Sequence, residues 1–142
     1  MNVRDELAKK LINENSSLRI DKFIKQCLHE KNSYYTDHNP IGKDYDFVTA
    51  PEISQMFGEI IGLYILNYWL TKIGSRFNLI ELGPGKGTLL KDILRVSKIN
   101  NEFIKNAKIT LIDKNIKLIK LQKEVINSFD IKNVKWKEKF HL

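Results

Sequence analysis

The stretch Leu79-Ile-Glu-Leu-Gly-Pro-Gly-Lys-Gly-Thr88 decides the fold. It is an apolar run that ends in an acid and then places glycines at alternate positions, Gly83, Gly85 and Gly87. An apolar strand, a glycine turn and a helix, in that order, open the nucleotide crevice of a Rossmann-like sheet. Glycine is needed there because it lets the backbone turn sharply and approach a ligand closely. The stretch therefore predicts a first strand over about 77–82 and a nucleotide-type site after it.

Several interpretations of this loop compete. The P-loop pattern G-x-x-x-x-G-K-[ST] fails twice, at Ile80 and at Gly87, and the dinucleotide pattern G-x-G-x-x-G is imperfect because it ends on Thr88. The pattern E-x-G-x-G-x-G, from Glu81 to Gly87, is motif I of class I methyltransferases. Glu81 argues against a pyrophosphate and suits a cationic ligand, such as the amino group and sulfonium of S-adenosylmethionine. The alternative is a glycine-rich turn that binds nothing.

A second strand is predicted over about 109–113, where Lys108-Ile-Thr-Leu-Ile-Asp113 reads as a buried strand ending in an acid. In a doubly wound sheet the acid at the tip of the second strand reaches the ribose hydroxyls of an adenosine ligand. The sequence separation between Gly83 and Asp113 leaves room for a helix over 88–97 and a loop over 100–106. Asp113 has a second interpretation as the cap of the next helix, and both roles can coexist.

Composition bounds the remaining possibilities. A chain of 142 residues fits one domain with a real core, and 42% hydrophobic and 29% charged residues are ordinary for a folded protein. The net charge of +7 comes from lysines scattered along the whole chain, which we interpret as the compositional bias of an AT-rich genome. Nucleic-acid binding is an alternative suggested by charge alone, without a recognisable motif.

The sequence predicts no metal site, disulfide or membrane span. Cys27 is the only cysteine, and His29, His38 and His141 show no metal-ligand spacing with it. No apolar run reaches the ~18 residues that a membrane span needs. The amino terminus carries acids and lacks an apolar signal region, so neither a secretory signal nor a typical transit peptide is expected. These features favour the cytosol.

The order of elements is helices first and an α/β part afterwards. Amphipathic helices are predicted over 3–13 and 21–30, and an aromatic, polar loop over 32–46. On the second helix the side chains expected to point inward are Phe23, Ile24, Cys27 and Leu28. A helix containing Ile116, Ile119 and Ile126 precedes a third strand that begins at 134–136.

The longest helix is predicted from about Glu52 to Leu70. Thr49 and Glu52 suggest a capping box with Pro51 at the helix start, and Gly74 ends the helical region. Apolar residues recur at i, i+3, i+4 and i+7, which is the spacing of one helix face. The stripe expected to lie in the core comprises Ile53, Met56, Phe57, Ile60, Ile61, Tyr64, Ile65 and Tyr68.

Two segments carry a family resemblance. Asp46-Phe-Val-Thr-Ala-Pro-Glu-Ile-Ser-Gln-Met-Phe-Gly-Glu59 resembles the DF-x-T-[SA]-PEIS-x-x-FGE signature of the MidA-type class I SAM-dependent methyltransferases. That family includes the mitochondrial complex I assembly factor and is associated with protein arginine methylation. The second segment, Glu81-Leu-Gly-Pro-Gly-Lys-Gly-Thr-Leu-Leu90 with Asp92-Ile-Leu-Arg95, is similar to the family's ELGPG-[RK]-GTLM-x-D-[IL]-LR. The match runs in order from about Ile20 to Glu124.

The chain departs from the family pattern at three positions. Ser33 stands where the family usually has glycine before a tyrosine pair, here Tyr34-Tyr35, and Tyr45 stands where it has glycine before the DF pair. Asp113 replaces a frequent glutamate but keeps the carboxylate. Family members are also substantially longer than this chain.

The resemblance implies an α/β fold that is an incomplete Rossmann-like methyltransferase sheet. The family sheet has seven strands in the order 3-2-1-4-5-7-6, of which this chain is expected to hold strands one to three, parallel and in the order 3-2-1. A helical segment over 1–48 would precede the first half of a methyltransferase domain over 49–142. Strand one would then expose the edge that strand four pairs with in the family.

The resemblance also implies the site and its cofactor, S-adenosyl-L-methionine. Glu81 is expected to face the amino-acid end of the cofactor and Asp113 to hold its ribose, while the three glycines of the loop approach it. A lid over the methyl end is expected from Thr49, Pro51, Glu52 and Gln55. Glu52 is either a capping residue or the catalytic carboxylate that orients a substrate guanidinium. Tyr34 and Tyr35 either line the same mouth or pack in the core.

The expected function is therefore that of a SAM-dependent protein arginine methyltransferase fragment linked to respiratory complex I, with a complex I subunit as protein substrate. The truncated chain is expected to be inactive alone and to pair with a separate carboxy-terminal chain. The alternative is a non-catalytic relic, or an assembly or binding module that retains part of the cofactor site. The location would be the bacterial cytoplasm, or the mitochondrial matrix in a eukaryote, although no transit peptide is visible.

Overall fold

The structure is a computed structural model that describes residues 3–13, 17–29, 33–37, 47–129 and 131–140. The chain divides into two compact units, Met1–Pro40 and Ile41–Leu142. In the first unit the described residues form α1 (Val3–Asn13), α2 (Ile20–His29) and α3 (Tyr34–Asp37). The first two predicted helices are thus confirmed. Most of the predicted aromatic loop, residues 38–46, lies outside the described residues.

The predicted inward face of α2 is only partly enclosed. Phe23 is 39% exposed and Ile24 45% exposed, whereas Cys27 and Leu28 are half-buried. These side chains line an apolar groove of about 500 Å³ together with Ala8 and Leu11 of α1. The four side chains share one apolar face toward α1, as predicted, but the described residues of this unit do not enclose Phe23 and Ile24.

The second unit is built on a parallel sheet. Its strands are β1 (Phe77–Leu82), β2 (Ala107–Ile112) and β3 (Val134–Lys137), in the order β1-β2-β3. Phe77 pairs with Ala107, and Ile109 pairs with Val134. The predicted parallel sheet of order 3-2-1 is confirmed. Because the strands are parallel, the loops after β1 and β2 leave the same edge of the sheet, where ligands bind in open α/β folds.

Helices precede the sheet and connect its strands. They are α4 (Ala50–Ile53), α5 (Gln55–Tyr68), α6 (Thr88–Ser97), α7 (Asn101–Asn106) and α8 (Ile116–Asn127). A π-helical turn, Trp69–Ile73, continues α5 and ends at Gly74, whose φ is +60°. The predicted bounds of α6 and the stop at Gly74 are confirmed. No helix among the described residues is long and apolar enough to cross a membrane.

The loop predicted over 100–106 is wrong, because this segment forms α7. The Asn100 side chain accepts hydrogen bonds from the backbone N–H groups of Glu102 (3.0 Å) and Phe103 (3.3 Å). An asparagine in this position satisfies N–H groups that have no partner in the first helical turn. Phe103 is fully buried and packs with Leu66, Trp69 and the half-buried Phe77. This anchoring makes a six-residue helix stable where the asparagine-rich sequence suggested a loop.

The long helix predicted from Glu52 to Leu70 is interrupted. Ser54 has extended backbone dihedral angles, φ −144° and ψ 121°, and separates α4 from α5. Ser54 occupies the N-cap position of α5, where serine is a favoured residue, although its side chain makes no capping hydrogen bond here. The interruption separates Glu52, which lies in α4, from the helix that follows. The Glu52 side chain lies toward the glycine loop.

The apolar stripe predicted to be core is largely exposed. Ile53 is 73% exposed and Tyr64 67% exposed, and only Ile61 and Ile65 of the stripe are half-buried. The buried side of α5 instead consists of Gly58, Gly62 and Leu66. The prediction was wrong because it assumed that the most apolar face of the helix is the packed face.

Glycines bring α5 into close contact with α6. A Cβ atom at Gly62 would lie 2.4 Å from Val96 Cγ2 and 2.9 Å from the Cα atom of Ile93, and one at Gly58 would lie 2.6 Å from Asp92 Cβ. Even alanine would overlap backbone at Gly62, and such overpacking is destabilising. The glycines therefore fix the distance between the two helices. This distance places α4 beside the loop that precedes α6.

Candidate functional site

The glycine loop between β1 and α6 has the backbone that the sequence predicts. Gly83 and Gly85 have φ values of +63° and +56°, a region that side-chain-bearing residues rarely adopt. The Gly87 N–H donates to the Pro84 carbonyl at 2.8 Å and closes a turn. A Cβ atom at Gly83 would meet no atom within 4 Å. The loop thus leaves open space at the carboxyl end of β1.

This loop and the α4 segment line one cleft of about 250 Å³. Two stretches that lie some thirty residues apart in the sequence therefore meet. The lining residues are Thr49, Pro51, Glu52, Glu81, Leu82, Gly83, Pro84, Gly85, Lys86, Thr88 and Leu89. Of the residues predicted for the site, the cleft brings together Thr49, Pro51, Glu52, Glu81, Gly83 and Gly85.

Glu52 is held by the glycine loop. Its Oε1 accepts a hydrogen bond from the Thr88 hydroxyl, and its Oε2 lies 3.8 Å from Lys86 Nζ. Thr49 occupies the N-cap position of α4, but its side chain makes no capping hydrogen bond. The predicted capping box is therefore wrong. The Glu52 carboxylate instead ties α4 to the start of α6 at the wall of the cleft.

Glu81 is a partly buried acid of the cleft with a shifted pKa. It lies near the end of β1 and also borders an apolar cavity that contains Ile61, Leu89 and Ile93. Its Oε2 atom is buried and has no hydrogen-bond partner in the part of the chain that the structure describes. Burial in these surroundings raises the pKa of Glu81 from 4.5 to about 7, because desolvation disfavours the charged form. A cationic group in the cleft would supply the missing partner.

Asp113 follows β2 at the same edge of the sheet but does not line the cleft. Its Oδ1 accepts a hydrogen bond from the backbone N–H of Asn115 at 2.9 Å, and its Oδ2 accepts one from Gln122 Nε2 at 2.9 Å. The cap of α8 is Asn115, whose side chain accepts from the N–H groups of Lys117 and Leu118. The alternative prediction that Asp113 caps this helix is therefore wrong.

Gln55 also lies outside the cleft. Its amide donates to Glu59 Oε1 at 2.6 Å, and the same oxygen lies 3.2 Å from Arg95 Nη1. Arg95 in turn donates to Asp92 Oδ1 at 2.8 Å. This chain of contacts joins α5 to α6. The second half of the first signature, including Gln55 and Glu59, therefore holds the helix pair and does not face the cleft.

Sequence reasoning missed Gln122. Its side chain is fully buried on α8, between Leu118 and Ile126 on the same helix face. Its Nε2 donates to the Gly85 carbonyl at 2.7 Å and to Asp113, and its Oε1 accepts from Trp136 Nε1 at 3.0 Å. The available signal was a polar residue at a core position of an amphipathic helix, since buried amides require partners.

The tyrosine pair lies in the first unit. The rings of Tyr34 and Tyr35 meet edge to face with centroids 5.1 Å apart. Among the described residues no group of three or more His, Cys, Asp or Glu side chains could hold a metal ion.

Comparison with known proteins gives consistent matches. Residues 60–142 match the profile of a family described as "Putative S-adenosyl-L-methionine-dependent methyltransferase". The protein arginine methyltransferase NDUFAF7, mitochondrial, of Bos taurus is 40% identical over 102 residues, covering 70% of this chain and 23% of the relative. The Homo sapiens protein of the same name is 36% identical over 115 residues, covering 78% and 26%. The chain thus spans about a quarter of the length of these curated relatives.

Solved structures share the fold. A crystal structure from Burkholderia thailandensis, bound to S-adenosyl-homocysteine, has a TM-score of 0.75 at 18% identity and covers 98% of this chain and 37% of that one. A native crystal structure from the same organism has a TM-score of 0.70 at 19% identity, covering 98% and 35%. Both structures extend well beyond the part that corresponds to this chain.

Proposed function

The chain belongs to the S-adenosyl-L-methionine-dependent methyltransferase family, and from that premise we propose that it supplies the cofactor-binding half of a protein arginine methyltransferase site. The observation that carries the proposal is the cleft in which the glycine loop, the unpaired Glu81 carboxylate and Glu52 of α4 meet. The cofactor of the family is S-adenosyl-L-methionine.

The residues of the cleft fit this cofactor. The buried Oε2 of Glu81 has no hydrogen-bond partner among the described residues, so an ammonium group would compensate its charge in a site of low dielectric. The open space at Gly83 lets a ligand approach the backbone. Asp113 lies at the end of the neighbouring strand, and each carboxylate oxygen can accept more than one hydrogen bond. We assign Glu81 to the amino-acid end of the cofactor and Asp113 to its ribose.

Glu52 is our candidate for the catalytic residue. A carboxylate pairs bidentately with a guanidinium, and Lys86 is a distant partner that an arginine side chain could replace. The bound cofactor supplies a methyl group on a positively charged sulfur. The acceptor nitrogen uses its lone pair to form the new N–C bond, the S–C electron pair remains on sulfur, and the nitrogen loses one proton to solvent. Glu52 orients that nitrogen, because transfer requires near-attack geometry.

Thr49 and Pro51 complete the proposed lid over the methyl end. Both line the cleft beside Glu52, whereas Gln55 makes its contact with Glu59 outside it. We therefore restrict the lid to the α4 segment and assign Gln55 a structural role.

A complete site needs the rest of the domain. In the described part of the chain β1 pairs with β2 alone, and its Ile80 and Leu82 are exposed. The exposed apolar side of α5 adds to this surface. Because the chain spans about a quarter of the relatives, we propose that a further polypeptide pairs with β1 and covers α5. A separate carboxy-terminal chain is one source of that polypeptide.

The relatives support a proposal for the acceptor and for the location. Protein arginine methyltransferase homologues imply a protein substrate, and we propose an arginine of a respiratory complex I subunit. Because the relatives are named mitochondrial, the proposed location in a eukaryotic host is the mitochondrial matrix. In a bacterial host it is the cytoplasm.

Replacing Gly85 by valine tests the cofactor placement. Valine is expected to abolish measurable cofactor binding by the assembled domain, because its side chain would occupy ligand space. Gly74→Val is the matched control, since Gly74 has a similar φ (+60° against +56°) and lies outside the cleft. Both variants place valine at a positive φ of similar size, and only Gly85→Val should lose affinity for S-adenosyl-homocysteine in calorimetry. Unchanged affinity in Gly85→Val would refute the placement.

A further inference from the structure

Gln122 joins three parts of the cofactor half of the fold. Its side chain is 0% exposed, and each of its polar atoms is used. Nε2 donates to the Gly85 carbonyl in the glycine loop (2.7 Å) and to Asp113 Oδ2 after β2 (2.9 Å). Oε1 accepts from Trp136 Nε1 on β3 (3.0 Å).

These partners define a single orientation of the amide. A carbonyl and a carboxylate can only accept, whereas the indole N–H can only donate. A flipped amide would present its oxygen to two acceptors and its N–H₂ group to a donor. Trp136 therefore fixes which end of Gln122 faces the loop and the acid.

Packing adds to the hydrogen bonds. A Cβ atom at Gly87 would lie 3.5 Å from both Cα and Cγ of Gln122. The end of the glycine loop thus lies directly over the residue whose amide holds Gly85. Burying an amide is costly unless it is hydrogen-bonded, and here the bonds go to the loop and to the acid.

We propose that Gln122 is a positioning residue that sets the spacing between the glycine loop and Asp113. The inference rests on the proposed function, in which the loop approaches the amino-acid end of the cofactor and Asp113 holds its ribose. Both hydrogens of one planar amide group bind these two elements, so the elements keep a fixed distance. A cofactor that spans them meets a preformed site and does not need to order it.

The test compares Gln122→Met with Ile126→Val in the chain assembled with the rest of the domain. Methionine matches the size of glutamine but removes all three hydrogen bonds. Valine removes one methyl group from the buried Ile126 on the same helix face and leaves those bonds intact. We expect Gln122→Met to lower the affinity for S-adenosyl-homocysteine by at least about tenfold, and Ile126→Val to lower it by less than about twofold.

A kinetic readout separates positioning from general loss of structure. In Gln122→Met the KM for the cofactor should rise by at least about tenfold while the KM for the acceptor changes by less than about twofold. Glu52, which we propose binds the acceptor, contacts the Thr88 hydroxyl and Lys86 and not Gln122. If Gln122→Met does not fold, Trp136→Phe removes the indole N–H donor to Gln122 together with part of the ring, and a several-fold loss of cofactor affinity is expected.

The outcomes are distinct. If the wild-type assembly binds S-adenosyl-homocysteine and Gln122→Met binds it with equal affinity, the positioning role is overturned and the proposed function stands. If Gln122→Met is unfolded, equal affinity in a folded Trp136→Phe has the same meaning. A parallel rise in both KM values would also overturn it. A wild-type assembly that does not bind S-adenosyl-homocysteine would overturn the proposed function and this inference together.

Discussion

Glu81→Gln is expected to stabilise the chain by about 3 kcal/mol at pH 8 and to leave its stability unchanged at pH 4. Burial raises the pKa of Glu81 from 4.5 to about 7, and each tenfold change in a protonation equilibrium corresponds to about 1.4 kcal/mol. Between pH 4.5 and about pH 7, Glu81 therefore binds more protons in the folded state than in the unfolded state. The free energy of unfolding falls as the pH rises from 4.5 through about 7, and glutamine avoids this loss.

Urea denaturation at pH 4 and pH 8 measures this effect. Glu124→Gln is the matched control, because Glu124 lies exposed on α8 and its removal should change stability by less than about 0.5 kcal/mol at either pH. An equal effect of Glu81→Gln at both pH values would contradict the assignment of a buried, unpaired carboxylate. The same variant should lose cofactor affinity, since the proposed partner of the ammonium group is then neutral. In the proposed site, Glu81 lowers the stability of the chain and supplies the charge that binds the cofactor.

Residues 1–142 alone are expected to transfer no methyl groups, and addition of the missing half of the domain is expected to produce transfer. The glycine loop, Asp113 and the α4 segment are present, but β1 has one strand partner in the described part of the chain. Without further strands the acceptor nitrogen cannot be held against the methyl group. Such positioning can lower the activation barrier by about 7–11 kcal/mol, and this contribution would be lost.

The assay is transfer from radiolabelled cofactor to a complex I subunit, with this chain, the complementing polypeptide, or both. The complementing polypeptide to be tried is the part of the bovine relative outside its matched segment. Activity should require both components, and Gly85→Val should abolish it. Robust transfer by this chain alone would contradict the proposal that a further polypeptide completes the site. Binding of both ligands without transfer by the complete assembly would favour the assembly-module alternative.

The sequence predicts the cofactor half of the fold where local and tertiary signals agree. β1 and α6 are correct to the residue, because an apolar strand, a glycine turn and an amphipathic helix each have their own pattern. α7 was missed because its stability comes from the burial of Phe103 and from a cap at Asn100. Propensity alone does not include such tertiary contacts.

The site was harder to predict than the fold. Glu52 and Gln55 are three residues apart, yet the interruption at Ser54 sends Glu52 to the cleft and Gln55 to Glu59. The prediction that the apolar stripe on α5 is buried was wrong, because apolar periodicity identifies a helix face that can pack and does not identify its packing partner. Gln122 was missed because its partners lie in the glycine loop, in the loop after β2 and on β3, which come together only in the folded chain.

The central claim is that the cofactor binds at the carboxyl ends of β1 and β2, and an NMR titration tests it most directly. The ¹⁵N-labelled chain, assembled with the rest of the domain, is titrated with S-adenosyl-homocysteine. We expect the largest changes in amide chemical shift at Gly83, Gly85 and Asp113. The shifts of Gly74 and of the residues in a basic groove around Lys132, at the amino ends of the strands, should stay unchanged. Shift changes confined to that groove, or none at saturating ligand, would contradict the account.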